Sequence, residues 1–360
     1  MKLSSGLGDG GSRQLLVLAG DGIGPEVTGA ALAVLGAVQG RLPWAVAVTE
    51  QPLGRAALRE FGQVAPRAVL SKALAADAVL AGAVDTVGLP AEVAAQGSAI
   101  LALRRALGCY VALRPVRIWP GTSAASPIRN RLRGRVNMLF VRELTGGAYA
   151  GPHRRLGSRV GARRASDRMV YSEAQVKRAA RVAFACARQR RGKVTSVDKA
   201  DALATSRLWR TVVGEVAAQH PDVEFEQLRA NNFALQLLLR PADFDVVVTG
   251  NLLGDILSDE AAALSGSLGL LPSESLSRAG SPALYEPVHG AAPQIAGKGI
   301  ANPIGAILSL AMLLREWGAV QVADAIEAAT ESSLGAGVIT PDLGGSASTD
   351  VVTEAILSHL

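Results

Sequence analysis

Short apolar runs separated by amphipathic stretches set the plan of this chain. "LLVLAG" (15–20), "DAVLAG" (77–82), "VNMLFV" (136–141), "KVTSV" (193–197) and "DVVVTG" (245–250) have few polar interruptions. Runs of that length, bounded by glycine or charged residues, predict strands buried on both faces. Between them, apolar positions recur at helical spacing over 26–38, 172–190, 203–219 and 303–317. Strands alternating with helices predict an α/β fold with largely parallel pairing. Residues 1–14 are polar and read as a leader. No repeat or low-complexity linker marks a domain boundary.

Length and charge narrow the picture. The 360 residues exceed one ordinary domain and predict two. No apolar run reaches eighteen residues, which argues against a membrane partner. Cys109 and Cys186 make neither a disulfide framework nor a zinc pattern, and they fit a reducing, cytoplasmic setting. The net charge of +6 has a local source in "HRRLGSRVGARRASDR" (153–168). That stretch reads as a solvated loop or as an arm for an anionic partner. No aromatic residue interleaves its arginines, which argues against nucleic acid.

Three segments carry candidate chemistry. In "FDVVVTGNLLGDILSDEAAAL" (244–264), Asp255 and Asp259 stand one helical turn apart just beyond a buried strand. Convergent carboxylates suit a hard divalent cation, Mg²⁺ or Mn²⁺; solvated helix-start carboxylates are the alternative. In "TSVDKAD" (195–201), Lys199 follows a strand and is a candidate general base, or else a surface lysine. Arg104, Arg114 and Arg142 are candidate forks for a di- or tricarboxylate, or else ordinary ion-pair partners. Tyr149 in "TGGAYAG" is a candidate proton donor. "GDGIG" (20–24) follows a strand, but Pro25 stands where a dinucleotide fingerprint has its third glycine, so no Rossmann site is inferred.

"LAGDGIGPEV", "LALRRAL…ALRPV", "VRELTGGAYAG", "VTSVDKADAL", "FDVVVTGNLLGDILSDEAAALSGSLGLLPS" and "YEPVHGAAPQIAGKGIANPIGAILS" occur in that order. Together they resemble the β-decarboxylating dehydrogenase family, which includes isopropylmalate, isocitrate and D-malate dehydrogenases. The resemblance implies a two-domain, non-Rossmann α/β fold. Its first domain would be discontinuous, 1–109 and 266–360, and would carry the cofactor site. The second, 110–265, would hold the dimer interface and the basic arm. It implies a homodimer with shared active sites and no nucleic-acid partner. It also implies oxidative decarboxylation of a 3-substituted malate, 3-isopropylmalate or a close analogue, to a 2-oxo acid. A D-malate/tartrate-type or specialised-metabolism dehydrogenase is the alternative within the family; a non-catalytic relative with a binding or assembly role is the alternative outside it.

By motif, the resemblance assigns Tyr149 and the partner subunit's Lys199 to acid/base work. It assigns Arg104, Arg114 and Arg142 to the malate carboxylates, and Ile100 and Leu101 to an apolar wall for the substituent. Asp255 and Asp259 would ligate the cation. Ile23, His289, Gly290, Ala292, Gln294 and Asn302 would line the cofactor site. The chain departs from the family pattern in several places. Asn231 aligns with a third metal-binding aspartate. Asp201 replaces an asparagine near the nicotinamide, Gly97 replaces a glutamate near its ribose, and "AVDTVGLP" (83–90) replaces a Gly-Gly-Pro-Lys-Trp-Asp run. Gln294 replaces an aspartate that holds the adenosine ribose, and it neither demands NAD nor repels NADP. Ile295 resembles the NAD-type partner, so the cofactor expected is NAD, with NADP not excluded.

Overall fold

The computed structural model describes residues 11–85, 93, 98–128, 136–156 and 164–360. The chain divides into two compact units. Described residues of Met1–Cys109, Ile118–Pro127 and Ala262–Leu360 form the first; those of Tyr110–Arg117 and Ile128–Ala261 form the second.

In the first unit, strand Arg13–Leu18 pairs in parallel with Val46–Glu50 and Ala78–Ala81. Ala78–Ala81 pairs in parallel with Ala283–Pro287, which pairs antiparallel with Pro272–Ser277. The first strand starts inside the expected leader, and two contacts explain why. The Arg13 guanidinium lies 4.9 Å from the Trp44 ring centre and 5.3 Å from that of Trp317. The Gln14 amide donates to Asp77 Oδ2 at 2.7 Å. The helix Ile304–Glu316 is buried on nearly every face. It packs against Pro272–Ser277, Ala283–Pro287 and the helices Gly24–Val38 and Val320–Gly335. A helix apolar all round belongs in a core, and each fully buried Leu or Ile contributes about 1.5–3 kcal/mol.

In the second unit, Cys109–Arg117 pairs antiparallel with Asn137–Glu143. Asn137–Glu143, Val246–Thr249, Lys193–Asp198 and Glu224–Arg229 then follow in parallel. Parallel pairing dominates both units, as the apolar runs predict. The helix Glu173–Arg188 opens with a capping box: Ser172 Oγ accepts from the Gln175 amide, and Gln175 Oε1 accepts from the Ser172 amide at 2.8 Å. It packs on these strands and on the helix Ala204–Ala218. The ends of the basic stretch, His153–Leu156 and Arg164–Asp167, form a separate two-stranded antiparallel ribbon. Residues 157–163, Gly97 and most of "AVDTVGLP" lie outside the described residues. Among those described, no helix is long and apolar enough to cross a membrane.

Candidate active site

Strand register assembles the charged cluster of the second unit. Ala112 lies opposite Arg142, so Arg114, two residues on, shares its face. Thr249 lies beside Arg142 on the other side. The helix Asn251–Ser265 therefore begins next to that arginine. Arg142 donates from Nε and Nη2 to Asn251 Oδ1 at 3.1 and 2.8 Å, and from Nη1 to Asp255 Oδ1. Gly254 makes room for it: a Cβ there would stand 2.8 Å from Arg142 Cγ. Arg114 Nη1 reaches Ser258 Oγ at 2.7 Å and Asp259 Oδ1 at 3.2 Å, and its Nη2 lies 3.5 Å from Asp255 Oδ1.

The cluster is asymmetric in exposure. The Arg142 side chain is 4% exposed and that of Arg114 8%, against 34% for Asp255 and 51% for Asp259. The cations are buried and the carboxylates face outward. Tyr149 Oη donates to Asp255 Oδ2 at 3.2 Å. Partial burial, and then the Asp255 charge, push the Tyr149 hydroxyl above its ordinary pKa.

The turn carrying Tyr149 is held from below. The buried Glu143 carboxylate accepts from the Thr145 and Gly146 amides, both at 2.8 Å, and from Thr145 Oγ1. Burial nevertheless raises the Glu143 pKa. The Tyr171 ring fills the space left by three glycines. A Cβ on Gly146 would meet a ring carbon at 2.4 Å; one on Gly147 or Gly250 would meet the hydroxyl at 2.6 or 2.9 Å. That hydroxyl accepts from the Asn251 amide at 2.6 Å.

Lys199 follows the strand Lys193–Asp198 and borders an apolar pocket lined by Tyr171, Leu203, Trp209, Leu252 and Leu253. Its Nζ lies 2.9 Å from Asp201 Oδ2. Asp201, expected near a nicotinamide, here contacts the lysine. Asn231 sits exposed in the first turn of the helix Ala230–Leu239. Leu235, Leu238 and Leu239 share its face and are also exposed.

The two outward carboxylates offer an oxygen-only donor set that fits a hard divalent cation. Their negative charges are already matched by two guanidinium groups. Among the described residues, no group of three or more His, Cys, Asp or Glu side chains converges to hold a metal within one chain.

The first unit carries the remaining predicted residues. Arg104 donates to Glu286 Oε1 from Nη2 at 2.5 Å and from Nε at 3.2 Å. Ile100 and Leu101 lie half-buried on the same helix, Ala99–Leu107, with Ile100 one turn before Arg104. The Ile23 amide donates to Ala291 O at 2.9 Å. Gly22 permits that approach, with φ +61°; a Cβ there would stand 1.9 Å from Ala291 O. Ala292 adopts φ +40°. Gly290 and Gln294 are exposed. His289 Nε2 is buried without a hydrogen-bond partner, and burial lowers the pKa of its ring. An orphaned ring nitrogen fits a site for a heteroaromatic base. Asn302 donates to Asp342 Oδ2 at 3.1 Å and accepts from the Ile304 amide at 3.1 Å.

Sequence reasoning missed Asn251, Ser258 and Glu286, which hold the arginines. It also missed Asp21, which accepts from the Arg55 and Asp85 amides at 2.8 and 2.9 Å. Glu26, also missed, accepts from the Ala301 amide at 3.0 Å and from Thr349 Oγ1. Asp21 stands inside "GDGIG" and Glu26 directly after Pro25, so acidic residues at a glycine-rich turn were the available signal.

Comparison with known proteins bears on this geometry. The profile of the isocitrate/isopropylmalate dehydrogenase family matches residues 14–357. A 3-isopropylmalate dehydrogenase of Salinibacter ruber is 49% identical, over 94% of this chain and 92% of its own. One from Anaeromyxobacter dehalogenans is 44% identical, over 96% and 99%. Among solved structures, an isocitrate dehydrogenase from Methylococcus capsulatus superposes with a TM-score of 0.87 at 36% identity, covering 96% of this chain and 99% of its own. A β-decarboxylating dehydrogenase from Thermococcus kodakarensis gives 0.79 at 36% identity, covering 96% of each.

Proposed function

The chain belongs to the isocitrate/isopropylmalate dehydrogenase family, and from that premise we propose that it oxidatively decarboxylates a 3-substituted malate, 3-isopropylmalate or a close analogue, to a 2-oxo acid. The supporting observation is the Arg114–Arg142–Asp255–Asp259 cluster with Tyr149 hydrogen-bonded into it. Arg114 and Arg142 bind the substrate carboxylates, and the family motif adds Arg104 of the other unit. Ile100 and Leu101 take up an alkyl substituent.

Asp255 and Asp259 would hold Mg²⁺ or Mn²⁺, together with Asn231 of the partner subunit. When bound, the cation supplies positive charge to the substrate hydroxyl and its neighbouring carboxylate. NAD, the hydride acceptor in this reading, would lie against Ile23, His289, Gly290, Ala292, Gln294 and Asn302. The partner subunit's Lys199 accepts the hydroxyl proton as the carbon is oxidised. Departure of the β-carboxylate as CO₂ leaves electron density on carbon, and Tyr149 delivers a proton there. A phenol keeps its proton at neutral pH, as a donor requires.

Charge balance favours joint entry of cation and substrate. Two arginines already neutralise two aspartates, so a dication and a dicarboxylate enter together without net change. A homodimer is part of this reading. The exposed stripe Leu235, Leu238 and Leu239, with Ile256 exposed beside Asp255, gives it an apolar surface to cover. The test is NADH formation across a panel of malates with different 3-substituents, with Mn²⁺ and Mg²⁺ compared. Turnover of 3-alkyl malates supports the reading. No NADH or NADPH from any malate, with either cation, would sink it.

A further inference from the structure

Lys199 and Asp201 stand two residues apart on one tight turn. The Ala202 and Leu203 amides both donate to Lys199 O, at 3.1 and 3.0 Å. This brings Lys199 Nζ to 2.9 Å from Asp201 Oδ2, with side chains 30% and 37% exposed. The neighbouring carboxylate, Asp198, is spent elsewhere. It is buried and accepts from Arg210 Nε and Nη2 at 2.9 and 3.2 Å and from the Ala200 amide at 2.9 Å. Arg229 is the other cation whose charge reaches Asp201. Lysine carries a compact charge on a flexible stem, so a single carboxylate decides where its head rests.

We propose that Asp201 is a positioning residue for Lys199: it holds the ammonium on its own turn, and Lys199 reaches substrate as a proton-accepting amine only after leaving that ion pair and giving its proton to water. The inference rests on the reading of Lys199 as proton acceptor. A partly exposed pair is strong enough to bias the resting position and weak enough to open on ligand binding. An amide at position 201 would lack the charge that holds the lysine. Opening the pair thus becomes a step that this chain adds to its reaction.

The test uses the full chain and reads Lys199 directly. The wild type, Asp201→Asn and Asp201→Glu are acetylated at fixed pH and low salt with a small acetyl ester of N-hydroxysuccinimide. Modification of Lys199 is followed by peptide mass spectrometry, and thermal melting confirms the fold of each variant. Asp201→Asn is expected to speed acetylation of Lys199 about two- to fivefold, the scale of a surface ion pair. Asp201→Glu should restore the wild-type rate. Added salt should speed the wild type and leave Asp201→Asn unchanged.

Equal rates in wild type and Asp201→Asn would overturn the proposal. So would a variant that differs only in its KM for NAD, because Asp201 would then serve the cofactor. If the asparagine variant does not fold, salt dependence of the wild-type rate decides: its absence overturns the proposal. Lys199→Ala separates the two layers. Full turnover there removes Lys199 from the chemistry, whatever the acetylation rates show.

Discussion

Two pairs of carboxylates, one pair in each unit, are used in opposite ways. In the second, Asp255 and Asp259 face outward and rest on the buried Arg114 and Arg142. In the first, Asp21 and Glu26 point into the fold and accept from backbone amides of distant segments. One arrangement leaves exchangeable charge at the surface, where a charged ligand can take over a partner. The other spends charge on fixing loops, so the surface presented around Ile23 and Ala292 is defined by shape. Damage should therefore read as lost charge balance at one pair and lost backbone geometry at the other.

The largest effect is expected at the charge cluster. Arg142→Ala leaves buried Asn251 Oδ1 without its two arginine donors and Asp255 with only Arg114 and Tyr149, and should lower unfolding free energy by about 3 kcal/mol. Denaturant melts measure this, and a loss under about 1 kcal/mol would show that the cluster is held by its backbone after all. The matching change in the first unit is Gly22→Ala. It combines positive φ with a backbone clash and should cost about 3 kcal/mol. Its signature differs, since added salt should not alter it.

Tyr149→Phe sharpens the comparison by removing chemistry without charge. Turnover should fall roughly a hundredfold while the melting curve stays in place. Near-normal turnover would take Tyr149 out of the reaction. Asn231→Asp tests the proposed third ligand from the partner subunit: a negative charge there should tighten Mn²⁺ binding by about 1–3 kcal/mol. Calorimetry with and without substrate reads it; an unchanged affinity means Asn231 does not face the cation.

A further effect belongs to a carboxyl that neither arrangement uses. Glu274 is pushed to about 8 by burial and then by the Glu316 charge, while a 3.0 Å bond from Tyr285 Oη opposes the shift. Its ordinary value is 4.5, so between these limits the folded chain keeps a proton that the unfolded chain releases. Stability from this group is therefore complete below the ordinary value and is lost as pH rises toward 8. Glu274→Gln should flatten the melting temperature across that window. A variant that still loses stability in parallel with the wild type would place the cause elsewhere.

Five strands were legible because burial on both faces writes an apolar run; Val46–Glu50 and Glu224–Arg229, part-exposed and mixed in polarity, were not read from the sequence. "DVVVTG" and "VNMLFV" could hardly be anything else. The arginines were legible as forks, but their partners were not. Asn251 lies 109 residues from Arg142, and nothing in "GNLLGD" separates a buried amide from a solvated one. Only strand register brings the two together. Asp201 shows the same limit at short range. Its spacing from Lys199 is two residues, and a turn, not a periodicity, makes them meet. The leader was drawn too long because Arg13 and Gln14 look polar, while Trp44 and Trp317 hold the first and Asp77 accepts from the amide of the second.

The Tyr171 ring has a consequence for the lineage of this chain. Two segments, one holding Gly146 and Gly147 and the other Gly250, were shaped against a single side chain. Drift to alanine at any of the three is closed while the ring remains. Removing the ring opens Gly250 and eases Gly146, but Gly147 stays constrained by its φ of +80° and the Asn251 amide loses its acceptor. No single step leads out of the arrangement without loss. Descendants should inherit the four positions together, as one heritable unit, or replace all of them at once.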